Sequence, residues 1–487
     1  MSSDTAEISA ADAAGEIPVP YEPARAERRS FGLRPSAALS RWWARLLADP
    51  ARATALRESW RALWSSRLLV WVAGVGTVAT LGYGPVRGAF DPPGVTSGFG
   101  WLGDLLAAPA ARWDSAWYLV IAHYGYSPGL GSFTASRDAF FPLYPLGLRG
   151  VSWLGVPPVL AGVLISLVAL AFALYGIHRL TTLELGAGVE RGLGNDRVAD
   201  AARLAVMVMA FAPMAFFFSA VYSESLYLAL SVGLFWSARQ GRWALVGVLG
   251  ALAAATRSTG LVLALPAAMI YLYGPREDRP VDFARSHAGS LWRRLGPRYR
   301  LHRDVLWLVL LPLGVVAYGG YLALGGASAL APFHVQEVWG RHFAGPYVGA
   351  WDGVEAAFDG ARQMLSFQSR HVYFAAAGGS PQIAAGHNLM LFAFLLVAIP
   401  AIVGVVRRLP LAYGAYVIAA LALPLSDPVR AQPLMSLPRF LLVLFPLGIW
   451  LALWLSEHPR AQKPTLIASA ALMAFFGAQF TTWHWVA

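Results

Sequence analysis

Cysteine is absent from this 487-residue chain, which excludes a disulfide framework, a thiolate nucleophile and any Cys-based metal site. Lysine is nearly absent as well: Lys463 stands alone, so almost every cation is a guanidinium. With no Gly-rich run ahead of Lys463, a phosphate-binding loop of the Walker type is excluded. The chain also lacks an H-E-x-x-H pair, a G-x-S-x-G in the strand–turn–helix context of a nucleophile elbow, and any D-x-D, the usual acidic metal site for nucleotide sugars. Charge is scarce throughout, at 13% against 57% hydrophobic residues, with a mean hydropathy of +0.51.

What is present comes in long uncharged blocks. Crossing about 30 Å of hydrocarbon takes roughly 17–25 such residues, so the fold class predicted is an all-α polytopic membrane protein. The net charge of +11 then reflects Arg collecting in loops on one side of the membrane, and no nucleic-acid partner is expected.

Residues 1–35 lack periodicity and predict a disordered cytoplasmic tail. Over 36–66, Trp42, Trp43, Leu46, Trp60, Leu63 and Trp64 alternate at helical spacing with Arg41, Arg45, Arg57 and Arg61. This pattern predicts basic amphipathic helices lying on anionic membrane lipids. A membrane domain occupies 67–487, its first block (about 67–86) starting too far in for a cleavable signal.

The blocks sum to about 11 transmembrane helices if 142–182 is one net crossing and 243–273 splits in two. Placing the basic loop 275–303, Arg239/Arg242 and Arg407/Arg408 in the cytoplasm then leaves two large outer loops, 87–140 and 325–387, which would carry short amphipathic helices. The connections 219–222, 256–258 and 425–436 and the C-terminal "TTWHWVA" fall on the same outer side. The alternative, with 142–182 split and 243–273 fused, separates Glu224 from that side.

The preferred sidedness gathers a set of polar residues. In "RWDSAWYLVIAHYGY" (112–126), Asp114 lies two residues after Arg112, between Trp113 and Trp117. It is open to two readings, a helix cap or a carboxylate facing a sugar whose C–H faces pack on the tryptophans. His123 and Tyr126 close the same stretch. "RDAFFPLYPLG" (137–147) contributes Phe141 and Tyr144, either as an interfacial belt or as site lining. Glu224, flanked by Ser223 and Ser225, is either a partner for a helix dipole or a functional intramembrane acid. Arg257 in "ATRSTG" and Arg439 in "SLPRFLLVLFP" either snorkel or, as outward-facing guanidinia, hold a lipid-linked phosphate. The 325–387 loop adds His334, Glu337, Arg341, His342, Arg370 and His371, whose spacing matches no metal-ligand set.

Taken together, "RWDSAWYLVIAHYGY", "AFFPLYPLG", "FAPMAFFFSAVYSESLYLALSVG" and "GVLGALAAATRSTGLVL" resemble, in order and spacing, the GPI mannosyltransferase II (PIG-V) family of the GT-C superfamily. The resemblance covers roughly 110–275, is looser over 304–487 and is absent from the N-terminal tail. It implies a GT-C-type helical bundle that inverts configuration while moving mannose from a polyprenyl-phosphate donor to a lipid-linked or other glycan acceptor on the outer face. It places the general base at Asp114, with Glu224 as a supporting acid. Arg257 and Arg439 would bind phosphate, and Arg112, Trp113, Trp117, His123, Tyr126, Phe141, Tyr144 and Ser223 would line the substrate site. No cofactor or metal is expected beyond the lipid-linked sugar donor, and an accessory subunit is a further expected partner. The Arg-dominated, Gly/Ala-rich composition points to a bacterial plasma membrane. The rival readings are a transporter or flippase of a lipid-linked sugar, and a GT-C enzyme using another sugar.

Overall fold

The computed structural model describes residues 48–83, 100–127, 134–186, 194–280, 296–366 and 381–486. The expected tail 1–35 and the first part of the expected interfacial helices therefore lie outside the described residues, as do Arg370 and His371. The helices named below all belong to the compact unit that begins at Pro50.

The described residues are helical and contain no strand, only isolated bridges linking Arg341, Val429 and Gln432. In chain order the α-helices are α1 (Pro50–Leu81), α2 (Trp101–Leu106), α3 (Ser115–Tyr124), α4 (Leu143–Ser152), α5 (Pro158–Gly186), α6 (Asn195–Ala210), α7 (Glu224–Arg239), α8 (Trp243–Ala254) and α9 (Ala264–Tyr273). They continue with α10 (Leu313–Leu324), α11 (Ala331–His334), α12 (Val348–Ser366), α13 (Pro381–Arg408), α14 (Leu411–Ser426), α15 (Leu437–Leu442), α16 (Phe445–Glu457) and α17 (Pro459–Thr481). Proline in the first turn of α5, α13, α16 and α17 starts those helices where its missing N–H is no loss.

Four helices, α1, α5, α13 and α17, are long and apolar enough to cross a membrane. The bent pair Arg303–Leu310 and α10 makes a fifth if it is one span. The remaining apolar segments are shorter than a full crossing, so length and composition support four or five spans of the 11 expected. One helix, α1, runs unbroken from Pro50 to Leu81 across residue 66. Its Trp60 and Trp64 are exposed while Ala62, Leu63 and Arg67 are buried, so one side of the helix packs into the bundle. Close approaches elsewhere rely on missing side chains: Gly404 lies against the Trp450 ring and Gly448 against Met209.

The chain ends of these helices fall at two ends of the bundle. At one, the Leu143 N–H bonds Ala255 O (3.0 Å) and the Val221 N–H bonds Ala110 O (3.0 Å). The starts of α4 and α7, the α8–α9 break and the segment before α3 therefore meet. At the other, the Glu277 N–H bonds Arg239 O (2.9 Å), Arg408 pairs with Glu457 (2.6 Å), and His178 of α5 meets Glu58 of α1 (2.9 Å). Both α4 and α5 start at the first end, since Gly162 packs on Val221 there, so 142–182 makes one net passage. The split of 243–273 likewise returns Arg257 to that end.

Candidate functional site

A cavity of about 1460 Å³ occupies the first end. Its near wall is a chain of alternating charge. Arg439 Nη1 donates to Asp114 Oδ2 at 2.6 Å, and Arg439 Nε lies 2.9 Å from Glu224 Oε1. Arg257 Nη1 sits 3.0 Å from the same Glu224 oxygen. Two acids and two guanidinia thus balance, but unequally in exposure. The Glu224 side chain is wholly buried, whereas Asp114 retains 22% exposure and lines the cavity with Arg257 and Arg439. Among the described residues, neither Glu224 oxygen makes an aligned hydrogen bond, and both arginines hold it by charge.

Each member is placed by local structure. Asp114 precedes α3, and its backbone N–H donates to the Tyr222 hydroxyl (3.1 Å), which itself donates to Arg112 O (3.1 Å). Its carboxylate makes no cap bond to the helix. The cap reading is therefore overturned: the carboxylate is turned away from the α3 amides toward Arg439. Glu224 is the first residue of α7, at the positive end of that helix's dipole and against both guanidinia. Arg257 sits in extended backbone between α8 and the 3-10 turn Ser258–Leu263. That turn lies directly on α8 because Gly260 has no Cβ to strike the Ala253 carbonyl. The Arg439 guanidinium lies over the rings of Tyr222 (5.4 Å) and Phe217 (5.7 Å), which fix its plane.

Aromatic rings continue the wall. Trp117 stacks on Phe140 (5.5 Å, 15° between planes) and borders Trp339 at 6.2 Å. Trp113 meets Trp483 and Trp485 edge-on at 5.8 and 5.2 Å. It does not share a helix face with Trp117, because Trp113 is outside α3 in left-handed backbone (φ 54°). The other non-glycine residues with positive φ among those described are Tyr347, Ser436 and Trp483. Ser436 lines the cavity immediately before α15, and Trp483 packs on Trp113, so backbone strain is concentrated around this site. An apolar flank formed by Leu261, Val262, Leu423 and Pro424 also lines the cavity, and Leu261 and Leu423 are each 41% exposed on the surface of the bundle.

Of the expected site residues, the cavity brings together Asp114, Trp113, Trp117, Phe141, Arg257 and Arg439, with Glu224 directly behind the arginines. The others belong to the scaffold. Arg112 points away, donating to Thr481 O (2.9 Å) beneath the Trp483 ring (4.9 Å), and so ties the pre-α3 segment to α17. His123 is exposed, edge-on to Tyr124. Tyr126 donates to Phe140 O (2.6 Å), Tyr144 to Gly162 O (3.0 Å), and Ser223 shares a hydrogen bond with the Tyr118 hydroxyl (2.9 Å). These hydroxyls are spent on backbone and neighbours inside the bundle.

From the loop after α10, His334, Glu337, Arg341 and His342 reach the cavity. Arg341 donates to the carbonyls of Asp427 (3.1 Å) and Met435 (3.2 Å), stapling that loop to the segment before α15. Burial, with the nearby charge of Arg439, pulls its guanidinium down to about 10, so it stays protonated at neutral pH. Sequence reasoning missed Tyr222 and Phe217 as supports of Arg439, and Trp339 and Trp485 as lining. Tyr222 and Phe217 lie inside "FAPMAFFFSAVYSESLYLALSVG", one of the four stretches that carried the resemblance.

The sequence comparisons agree with that resemblance over part of the chain. Residues 100–272 match the family described as Mannosyltransferase (PIG-V). The GPI alpha-1,6-mannosyltransferase 2 of Cricetulus griseus is 33% identical over 181 residues, covering 36% of this chain and 34% of that protein. The protein of the same name from Rattus norvegicus is 33% identical over 182 residues, with the same coverage. The chain thus spans about a third of the length of these curated relatives. No solved structure matches. The matched segment, 100–272, contains Asp114, Glu224 and Arg257.

Proposed function

Taking that matched segment as the premise, we propose that this protein is a membrane-embedded inverting mannosyltransferase that uses a polyprenyl-phosphate-mannose donor and a glycolipid or glycan acceptor on the outer face. The observation that carries the reading is that a carboxylate, Asp114, and two guanidinia, Arg257 and Arg439, line one cavity beside stacked aromatic rings, Asp114 paired with Arg439 and both arginines with Glu224. In this reading the donor phosphate sits on Arg257 and Arg439, whose planar forks suit phosphate oxygens. Its apolar chain leaves past Leu261 and Leu423, and the mannose packs on Trp117 and Phe140.

The acceptor hydroxyl oxygen attacks the anomeric carbon from the side opposite the phosphate. The new C–O bond forms as the bond from that carbon to the phosphate oxygen breaks, and its electron pair leaves with the polyprenyl phosphate. The hydroxyl proton passes to Asp114, acting as general base. The arginines stabilise the charge that grows on the departing phosphate.

Arg439 donates to Asp114. An arriving phosphate competes for that guanidinium and frees the carboxylate to accept a proton. Buried Glu224 touches neither sugar in this scheme; it holds both arginines in place, a narrower role than the supporting acid expected from sequence. The test is Asp114→Asn in proteoliposomes supplied with labelled polyprenyl-phosphate mannose. Mannosyl transfer to glycolipid is expected to fall by about 10²–10⁴-fold while donor binding persists. Transfer at the wild-type rate, or translocation of intact donor without any transfer, overturns the assignment.

A further inference from the structure

An aspartate placed just before a helix ordinarily caps it from extended backbone. Asp114 instead has helical backbone (φ −57°, ψ −16°), and its carboxylate makes no cap bond. The difference originates one residue earlier, where Trp113 is left-handed (φ 54°). A tryptophan keeps that conformation only when its surroundings impose it.

The segment after α17 imposes it. The Trp483 N–H bonds Phe480 O (3.2 Å) and the His484 N–H bonds Gln479 O (2.8 Å), the paired bonds of a Schellman helix end. That motif sets one residue in left-handed backbone, where glycine is preferred. Here the residue is Trp483 (φ 64°), 1% exposed. Its indole N–H has no hydrogen-bond partner among the described residues, so the ring acts through its packing. The ring meets Trp113 edge-on at 5.8 Å and the Arg112 guanidinium at 4.9 Å, and Arg112 Nε donates to Thr481 O (2.9 Å). Trp485 adds a second edge-on contact to Trp113 at 5.2 Å. Both residues ahead of Asp114 are therefore fastened to 481–485, and Trp483 lies outside the cavity lining.

We infer that Trp483 is a positioning residue for the Asp114 carboxylate. By holding Arg112 and Trp113 it keeps Trp113 left-handed and denies Asp114 the extended backbone that capping needs. The carboxylate then stays on Arg439 and in the cavity instead of turning to the α3 amides. Its bearing on transfer rests on the mannosyltransferase reading; the placement of the carboxylate does not.

The test is carbodiimide coupling of glycine ethyl ester to the full-length protein in detergent, with Asp114 read by peptide mass spectrometry. The wild type should label at Asp114, whose side chain is 22% exposed. Trp483→Gly removes the ring but suits the left-handed turn, and should lose that label. Trp483→Phe, which keeps a ring edge toward Trp113, should retain it. Trp485→Leu removes the other ring at a half-buried position and should also lose label, which keeps the test readable if Trp483→Gly fails to accumulate. No label in the wild type, or label at the wild-type level or above in the folded variants lacking a ring, overturns the positioning role. With polyprenyl-phosphate mannose, Trp483→Gly should lower kcat by about 10²-fold at unchanged donor KM. It should cost nothing further in an Asp114→Asn background, since both act through one carboxylate. An equal loss in that background makes Trp483 a general structural residue and overturns the inference. Absence of transfer by the wild type, with labelling as expected, overturns the enzymatic reading and leaves the positioning role standing.

Discussion

The two ends of the bundle each bury an arginine–carboxylate pair, and they are built to opposite rules. Away from the cavity, Arg239 pairs with Glu184, and the Tyr413 hydroxyl donates to the same carboxylate (2.8 Å). Both charged side chains are at most 4% exposed. Nearby, Arg276 grips Asp278 through two bonds (2.9 and 2.6 Å) and lies over the rings of Trp243 and Tyr271. The Arg239 and Arg276 guanidinia are each matched to a carboxylate and buried. At the cavity, two arginines share one buried glutamate oxygen, and the partner of Arg439 is an aspartate that still faces open space. The closed pair has nothing left to offer a ligand, whereas the open cluster can exchange a partner for one. A buried ion pair by itself is therefore poor guidance to function; incomplete satisfaction next to a void is the better sign.

The comparison can be broken most directly at Asp114. Asp114→Asn is expected to lower the transfer rate by about 10²–10⁴-fold, with a thermal midpoint close to wild type. A midpoint as low as that of a Glu184 variant would erase the distinction between the two ends. Glu184→Ala should do the reverse. It leaves Arg239 buried without its partner and costs about 3–5 kcal/mol, read as early unfolding in detergent, while the surviving folded fraction keeps its activity per molecule. Arg257→Ala comes next, with an expected loss of about 10²–10³ in rate and weaker retention of inorganic phosphate as a competitive inhibitor. The smallest effect is expected at Ser436 (φ 67°). Ser436→Gly relieves left-handed backbone strain but adds freedom to the unfolded chain, so the net gain is at most about 1 kcal/mol. Any accompanying fall in rate would tie that strain to the seating of Arg439.

Much of this arrangement was legible in the residues. Positive-inside accounting puts Asp114, Glu224, Arg257 and Arg439 on one side, and the structure joins them in one chain of charge. Helix length was less legible: the apolar blocks are helical, but several are too short to cross. Hydropathy reports what a segment avoids, not whether it bends or stops. The lining aromatics were hard to sort for a related reason. Tyr126 and Tyr144 have the same amphipathic chemistry as Trp117, and only tertiary geometry decides which hydroxyls are consumed by backbone carbonyls. Trp483 carried no local signal, because a tryptophan at a helix end looks the same in sequence whether it anchors in the membrane interface or packs on a distant turn.

The exposed flank at Leu261 and Leu423 has a consequence for how rates must be measured. A donor that enters sideways arrives from a two-dimensional solution, so the concentration that governs saturation is its mole fraction among lipids. Adding inert phosphatidylcholine at constant bulk donor should slow the reaction as surface dilution, and turnover curves should superimpose only when plotted against surface density.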